Sequence, residues 1–263
     1  MKSARESGKP VLDSVIVVPC YDEEKRLPVD EFRAFAEKHP GTRFLMVDDG
    51  SRDRTLEILR TLENEKPESF RVIALGQNRG KAEAVRRGML LAVQEDTYAV
   101  GYWDADLATP LSEIHRFQET LRAGPALIVF GARVLLMGRD IQRQAHRHYI
   151  GRVFATLASL SLALPVYDTQ CGAKLFRNIP EMAALFEEPF VSRWVFDVEI
   201  LARLICLARG RRELRPEKIL HELPVLAWSD VPGSKVKPAD FFRGIMELAK
   251  VHRRYLHPRR RPK

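Results

Sequence analysis

The sequence predicts an α/β protein built on a mostly parallel central sheet flanked by helices, and three observations predict it. Short β-branched or aromatic runs recur along the first 130 residues. Between them lie amphipathic stretches of about 10–13 residues, long enough for crossover helices. Acidic loops follow the second and fourth of these runs, at the strand ends where such sheets gather ligands.

Taken in order, Ser14 to Val18 reads as a buried strand that stops at Pro19. A helix is expected over 30–38, ended by His39-Pro40-Gly41, and a second strand over 44–47. A helix over 53–65 carries Leu56, Leu59 and Leu62 at helical spacing. A strand over 71–75, a helix over 81–93 and a strand over 98–103 follow, then a helix over 111–122 and a strand over 126–130. Beyond Gly131 the pattern changes to a long helix over 141–164, a polar loop at 168–172 and a short strand over 174–177. A helix over 195–208, a strand over 217–227, a turn at Pro232-Gly233 and a final helix over 239–254 complete the chain. Residues 1–13 read as a flexible leader, 14–251 as one domain and 252–263 as a basic tail. Within that domain, 14–130 would bind a nucleotide and 131–251 would form the acceptor half.

Length and composition limit the function. The 263 residues suffice for one large domain and fall short of two comfortable ones. Hydrophobic residues at 45% and charged residues at 30% argue against disorder. A net charge of +8 asks for an anionic partner. Nucleic acid is excluded as that partner, since no zinc-finger spacing, RNP-type aromatic run or basic repeat is present. Cys20, Cys171 and Cys206 are widely separated, which suits free thiols in a reducing compartment. The apolar stretch Val153 to Val166 is too short to span a bilayer, which takes about 20 residues. The expectation is therefore a cytoplasmic protein, at most peripheral on the cytoplasmic face of a membrane. Arg143, Arg147 and Arg152 lead into that stretch, as in an interfacial helix, although a plain core helix fits equally well. The tail holds six Lys or Arg in twelve residues, which suits phospholipid head groups or a solvated end.

Four segments carry the chemistry. Asp104-Ala105-Asp106 sets two carboxylates just beyond a buried strand, where both can reach one hard cation and, through it, a diphosphate. Asp48 and Asp49, with Gly50 allowing a tight turn, can accept hydrogen bonds from a base or ribose, while Asp53 caps the next helix. Pro19-Cys20-Tyr21-Asp22-Glu23-Glu24 offers a ring and carboxylates where a base can stack. Asn78-Arg79-Gly80-Lys81 opens a helix whose free N–H groups and lysine favour an anion, without being a P-loop. The nearest enzyme alternative, a nucleotidyltransferase, would want a glycine-rich loop after the first strand, and that loop here is acidic and aromatic.

In this order, V-P-C-Y-D-E-E, D-D-G-S-R-D-R-T, N-R-G-K and D-A-D-L-A-T-P resemble the GT-A catalytic domain of family-2 glycosyltransferases. Gly131-Ala132-Arg133, D-T-Q-C-G-A-K-L-F from Asp168, F-D-V-E from Phe196 and V-P-G-S-K-V from Val231 are similar to the branch that glucosylates dolichyl and other polyprenyl phosphates. The resemblance implies inverting transfer of a sugar from a nucleotide-sugar to a lipid phosphate. UDP-glucose is the expected donor and GDP-mannose the alternative. A soluble or different lipid acceptor is the alternative on the other side. It implies that Pro19, Tyr21, Glu23 and Asp49, beside Asp48, bind the nucleoside. It likewise implies that Asp104, Ala105 and Asp106, with Lys81, meet the diphosphate and hold Mg²⁺ or Mn²⁺. Arg133 and Arg147 would hold the acceptor phosphate. Such a phosphate is largely dianionic at pH 7, with a second pKa of about 6, and needs no strong base. A hydroxyl acceptor would need one, for which Asp197 and Glu199 are the candidates.

The departures are specific. Asp22 replaces the usual Asn, Ala82-Glu83 replaces a small glycine pair, and Ala173 stands where an aromatic is common. Ala108 cannot supply a third metal ligand, and no segment matches the membrane span of many members.

Overall fold

Strand β1 (Leu12–Cys20) shows why the sheet lies at the centre of the molecule. Val15, Ile16, Val17 and Val18 are all buried, so both faces of the strand are covered, as a parallel sheet requires. The computed structural model describes residues 12–142, 145–231 and 238–257, without the side chains of 145–148 and 238–240. The leader's first eleven residues, the segment 232–237 and the tail from 258 lie outside the described residues.

Side-chain alternation divides the core into two layers. Val15 and Val17 of β1, with Leu45 and Val47 of β2 (Thr42–Asp48), pack on one face. Ile16, Val18, Phe44 and Met46 pack on the other. Helices α1 (Val29–Lys38), α2 (Thr55–Glu65) and α4 (Glu113–Ala123) cover the second face through Phe32, Leu59 and Phe117. The first face is covered by α3 (Lys81–Ala92), α5 (Ala145–Leu162), α6 (Pro180–Glu187), α7 (Phe196–Leu207) and α9 (Pro238–Val251).

With β3 (Phe70–Ala74), β4 (Thr97–Trp103), β5 (Ile128–Ala132), β7 (Ala173–Arg177) and β8 (Leu220–Pro224), the seven-stranded order is β3-β2-β1-β4-β7-β5-β8. All neighbours are parallel except β7, which runs antiparallel to β4 and β5 on either side. The second half of the chain thus completes the same sheet. A two-stranded ribbon pairs β6 (Asp140–Gln142) with β9 (Ala227–Ser229), and a short helix α8 (Pro216–Ile219) precedes β8.

Three expectations change. The long helix starts at Ala145 instead of 141, because Ile141 pairs with Trp228 in the ribbon. The strand expected over 217–227 is broken: Pro216 begins α8 at its first turn, and β8 ends at Pro224, which lacks an N–H. Helix α6, with Pro180 in its first turn, was not anticipated.

The inserted strand β7 carries a buried charge. Lys174 is fully buried, and its Nζ donates to Asp197 Oδ1 (2.5 Å) and to the Cys171 carbonyl (2.6 Å). Tyr102 on β4 donates to the same Asp197 oxygen (2.6 Å), so the network ties β4, β7 and α7 together. Replacing Asp197 with Leu strands this ammonium in the core. The expected loss is about 3–5 kcal/mol, read by denaturant unfolding. Lys174→Met added to Asp197→Leu should recover most of it.

On α3, Glu83 accepts hydrogen bonds from Arg86 (2.7 and 2.9 Å) and Arg87 (2.8 Å). Chiefly through Arg86, its pKa falls from the ordinary 4.5 to about 2. Glu83 therefore stabilises the fold above pH 4.5, and that contribution disappears as the pH falls from 4.5 to about 2. Over this window, the stability of Glu83→Gln should depend less steeply on pH than that of the wild type.

Candidate active site

The ends of the parallel strands and the loop before β7 border a cleft of about 650 Å³. One wall of it is built from two interlocked loops. Asp22 adopts a left-handed conformation (φ 48°), which an Asp tolerates better than most side chains. Its backbone N–H donates to Ser51 Oγ (3.1 Å), while its Oδ1 accepts from Arg52 N–H (2.8 Å). The next two N–H groups donate across the same gap, Glu23 to Thr55 Oγ1 (2.8 Å) and Glu24 to Asp53 Oδ2 (3.1 Å). Asp53 also accepts from Thr55 N–H (2.9 Å) at the start of α2, as a cap does.

Pro19, Tyr21, Glu23 and Asp49 line the cleft. Asp48 does not; its carboxylate accepts the N–H groups of Gly50 (3.2 Å) and Ser51 (3.3 Å) and closes its own turn. Gly50 sits there at φ 71°, where any Cβ would strike the backbone of Gln77. Asp49 accepts N–H bonds from Arg79 and Gly80 (2.8 Å each), fixing the loop that leads into α3. Burial raises its pKa above the ordinary carboxylate value.

The D-A-D segment projects from the end of β4 into the same cleft. Asp104 forms an ion pair with Lys81 Nζ at the N-terminus of α3, and Asp106 Oδ2 accepts from Arg26 Nη2 (3.2 Å). Arg26 also reaches Glu23 through Nε (2.9 Å), so it joins the loop after β1 to the carboxylate pair. Burial, and next the negative charge of Asp104, raise the pKa of Asp106. Two crowded carboxylates that remain partly exposed suit a hard divalent cation with oxygen ligands. Among the described residues, no cluster of three or more His, Cys, Asp or Glu could hold an ion alone. Such an ion takes about six oxygen ligands or more, so two carboxylates leave most of its coordination to other groups. Ala105 lies between them and lines the cleft.

Gly172 makes room for this arrangement. Its carbonyl accepts the Asp104 N–H (3.0 Å), and a Cβ at this position would overlap the Asp104 carboxylate. The glycine of D-T-Q-C-G is thus part of the carboxylate site, although it lies 68 positions further along the chain.

Across the cleft, Arg133 makes a two-pronged ion pair with Asp168: Nε to Oδ2 (2.6 Å) and Nη2 to Oδ1 (2.8 Å). Its guanidinium also lies over the Trp228 ring, 5.2 Å from the centroid. Burial acts to lower its pKa, but the Asp168 carboxylate outweighs this and the net shift is upward. Asp168 and Tyr167 donate their N–H groups to Glu222 on β8 (2.8 and 2.7 Å). Arg147 lies on α5, but its side chain is outside the described residues. Arg152 on the same helix donates to the Tyr167 carbonyl (2.8 Å) and stacks 3.7 Å from that ring's centroid.

The two candidate bases are engaged. Asp197 lines the cleft but holds Lys174 and Tyr102. Glu199 is fully buried and accepts from Val191, Ser192, Arg203 and the Tyr255 hydroxyl. With Glu247, which accepts from Ser192 Oγ (2.6 Å) and Trp194 N–H (2.8 Å), it pins a loop that brings Arg193 and Trp194 to the cleft. Arg193 in turn donates to the Arg79 carbonyl (3.0 Å). Among the family departures, Glu83 is turned to its arginines and does not line this cleft, and Ala173 is buried in β7. Trp103 is core, bonded to the Thr109 carbonyl.

Sequence reasoning missed Arg26, Arg193, Trp194 and Asp168 as site residues. Arg26 and Arg193 carry no spacing signal; Asp168 lay within a recognised motif, but its pairing with Arg133 is a long-range contact.

A family model described as glycosyl transferase family 2 matches residues 15–181. The dolichyl-phosphate beta-glucosyltransferase of Mus musculus is 33% identical over 85% of this chain and 69% of its own length. That of Drosophila melanogaster is 34% identical over 87% and 71%, and that of Saccharomyces cerevisiae 30% over 92% and 74%. Among solved structures, glucosyl-3-phosphoglycerate synthase from Mycobacterium tuberculosis in complex with UDP superposes with a TM-score of 0.61. The match covers 92% of this chain and 80% of that one at 18% identity. The same enzyme in complex with Mn²⁺, UDP-glucose and phosphoglyceric acid gives a TM-score of 0.60. These structures support the GT-A fold, and at 18% identity the fold alone. The chain belongs to glycosyl transferase family 2.

Proposed function

We propose that this family-2 glycosyltransferase moves glucose from UDP-glucose, with inversion, onto the phosphate of a polyprenyl lipid of the dolichyl type. The names of the relatives support the donor sugar and the acceptor. One observation carries the choice of a phosphate acceptor. Arg133, oriented by Asp168, faces the cleft that holds Asp104 and Asp106, while both carboxylates that could act as a base are already engaged. A phosphate dianion brings its own nucleophilic oxygen, so this cleft needs a positioning cation and no free base.

Asp104 and Asp106 would hold Mg²⁺ or Mn²⁺. Bound there, the ion would supply charge neutralisation for the departing diphosphate. Lys81, backed by the N-terminal end of α3, adds fixed positive charge on the same side. Arg26 does the same from the nucleoside wall, where Pro19, Tyr21, Glu23 and Asp49 take the base and ribose. Asp48 contributes by holding the turn beneath them. With its Nε–Nη2 edge held by Asp168, Arg133 takes the acceptor phosphate through Nη1 and the remaining Nη2 hydrogen, a planar pair that a lysine could not reproduce. Arg147 is a further candidate for that phosphate.

With Mn²⁺ or Mg²⁺, UDP-glucose and polyprenyl phosphate, the purified protein should form a glucosylated lipid phosphate, and EDTA should abolish the reaction. Asp104→Ala should lower turnover about 10²–10³-fold. Turnover with a soluble phosphate acceptor alone would overturn the lipid acceptor and leave the donor standing. Transfer from GDP-mannose alone would overturn the donor.

Gly172→Ala tests the carboxylate site without touching a carboxylate. Isothermal titration should show UDP binding in the presence of Mn²⁺ weakened at least about tenfold. Wild-type affinity in this variant would show that the position of Asp104 is not what binds the donor.

A further inference from the structure

Helix α5 is apolar on both sides. Phe154, Ala158 and Leu162 face the core, while Ile150, Val153, Leu157 and Leu160 face outward. A helix that is apolar all round is normally covered, yet Leu160 is 73% exposed and Val153 53% exposed. Alongside it, α9 turns Leu248 and Val251 inward and leaves Phe242 and Met246 exposed at 70% and 61%. The two helices touch where Phe154 lies against Gly244, and Ser161 Oγ of α5 meets His252 Nδ1 (3.1 Å) just beyond the end of α9. Both also pack on α7, so their outer faces form one continuous surface.

Basic residues outnumber acidic ones around this surface, where α9 carries Asp240 and a buried Glu247. No Asp or Glu occurs between Asp140 and Asp168, nor anywhere after Glu247. At the far end of α9, Lys250, Arg253 and Arg254 are exposed. The near end opens on the cleft, because Arg152 and Phe154 of α5 and Phe241 and Gly244 of α9 line it. Among the described residues, no helix is long and apolar enough to cross a membrane.

We propose that the outer faces of α5 and α9 dock this enzyme on an anionic lipid surface, with the mouth of the cleft at the lipid boundary. Apolar side chains enter the acyl boundary while Lys250, Arg253 and Arg254 meet the head groups. A second copy is the poorer occupant, since it would bring the same predominantly basic surface against itself. The inference rests on the lipid-phosphate reading for its purpose and on exposure and charge for its location.

The test is flotation of the full chain with vesicles of phosphatidylcholine alone or with phosphatidylglycerol added, both free of polyprenyl phosphate. The wild type should float with the anionic vesicles and less with the neutral ones. Leu160→Glu and Met246→Glu, one on each helix, should each reduce the bound fraction about tenfold. Their UDP-induced thermal shift should remain that of the wild type, which checks folding. Absence of wild-type flotation, or equal flotation of folded variants, overturns the proposal. So does a dimer in sedimentation that these substitutions dissociate. Transfer to polyprenyl phosphate in detergent micelles is assayed separately, so failure of the lipid acceptor and failure of the docking surface give different results.

Discussion

Carboxylates gathered at one edge of a sheet repel one another, and each must find a cation or an N–H group before the chain can close around them. Asp104 has Lys81, Asp106 and Glu23 share Arg26, Asp168 has Arg133, and Asp197 has Lys174. Asp48 and Asp49 use backbone N–H groups instead. The partners come from distant elements, so satisfying the acids also assembles the loops. Arg26 ties the first strand's loop to the fourth strand's, and Lys81 ties α3 to the same place. The cost of an unpaired buried charge, several kcal/mol, applies to the buried links, Lys174 to Asp197 and Arg133 to Asp168. The same arrangement gives the cleft its chemistry. The carboxylate pair stays partly exposed and crowded, while cations stand ready on its flanks.

Much of this was legible in the residues. β1, β2 and β4 are short, β-branched or aromatic and buried on both faces, so a period-free apolar run identified them, whereas β3 at the sheet edge alternates buried and exposed residues. The strand ends then placed Asp49 and Asp104 at one edge without any contact being known. The unreadable parts depended on distant partners. Ile141 lies in a ribbon instead of a helix because Trp228, 87 positions away, pairs with it. Nothing in Ala173 to Arg177 tells that the strand enters between β4 and β5 and runs against both. The link between Arg26 and Asp106 is equally non-local, and its sequence context is an ordinary loop. Arg133 was legible as a cation of the site through resemblance, but its grip on Asp168 was not.

The Asp48–Asp49 pair shows how neighbouring identical residues diverge. Both sit at the end of β2, both are buried, and both look like ligand carboxylates in sequence. Asp48 turns back to the N–H groups of its own tight turn, whereas Asp49 faces the cleft and the start of α3. A turn built on Gly50 requires the first role, and the loop into α3 requires the second. Two aspartates are therefore explained before any ligand is considered, and only Asp49 also lines the cleft.

The inserted strand β7 is what makes the two halves one site. Its leading residue region fixes Asp104 through the Gly172 carbonyl and the missing Gly172 side chain. Two residues on, Lys174 holds Asp197 of α7 and the carbonyl of Cys171, and so anchors α7 to the sheet. A shift of β7 along its neighbours by one residue would exchange its two faces, exposing Lys174 to the opposite layer and moving Gly172 off Asp104. The register that pairs Trp103 with Ala173 therefore sets the positions of Asp104 and of Asp197 together. That coupling explains why a single antiparallel strand sits inside an otherwise parallel sheet: its N-terminal end, unlike that of its neighbours, lies at the cleft edge and can carry the loop 168–172 into the cleft.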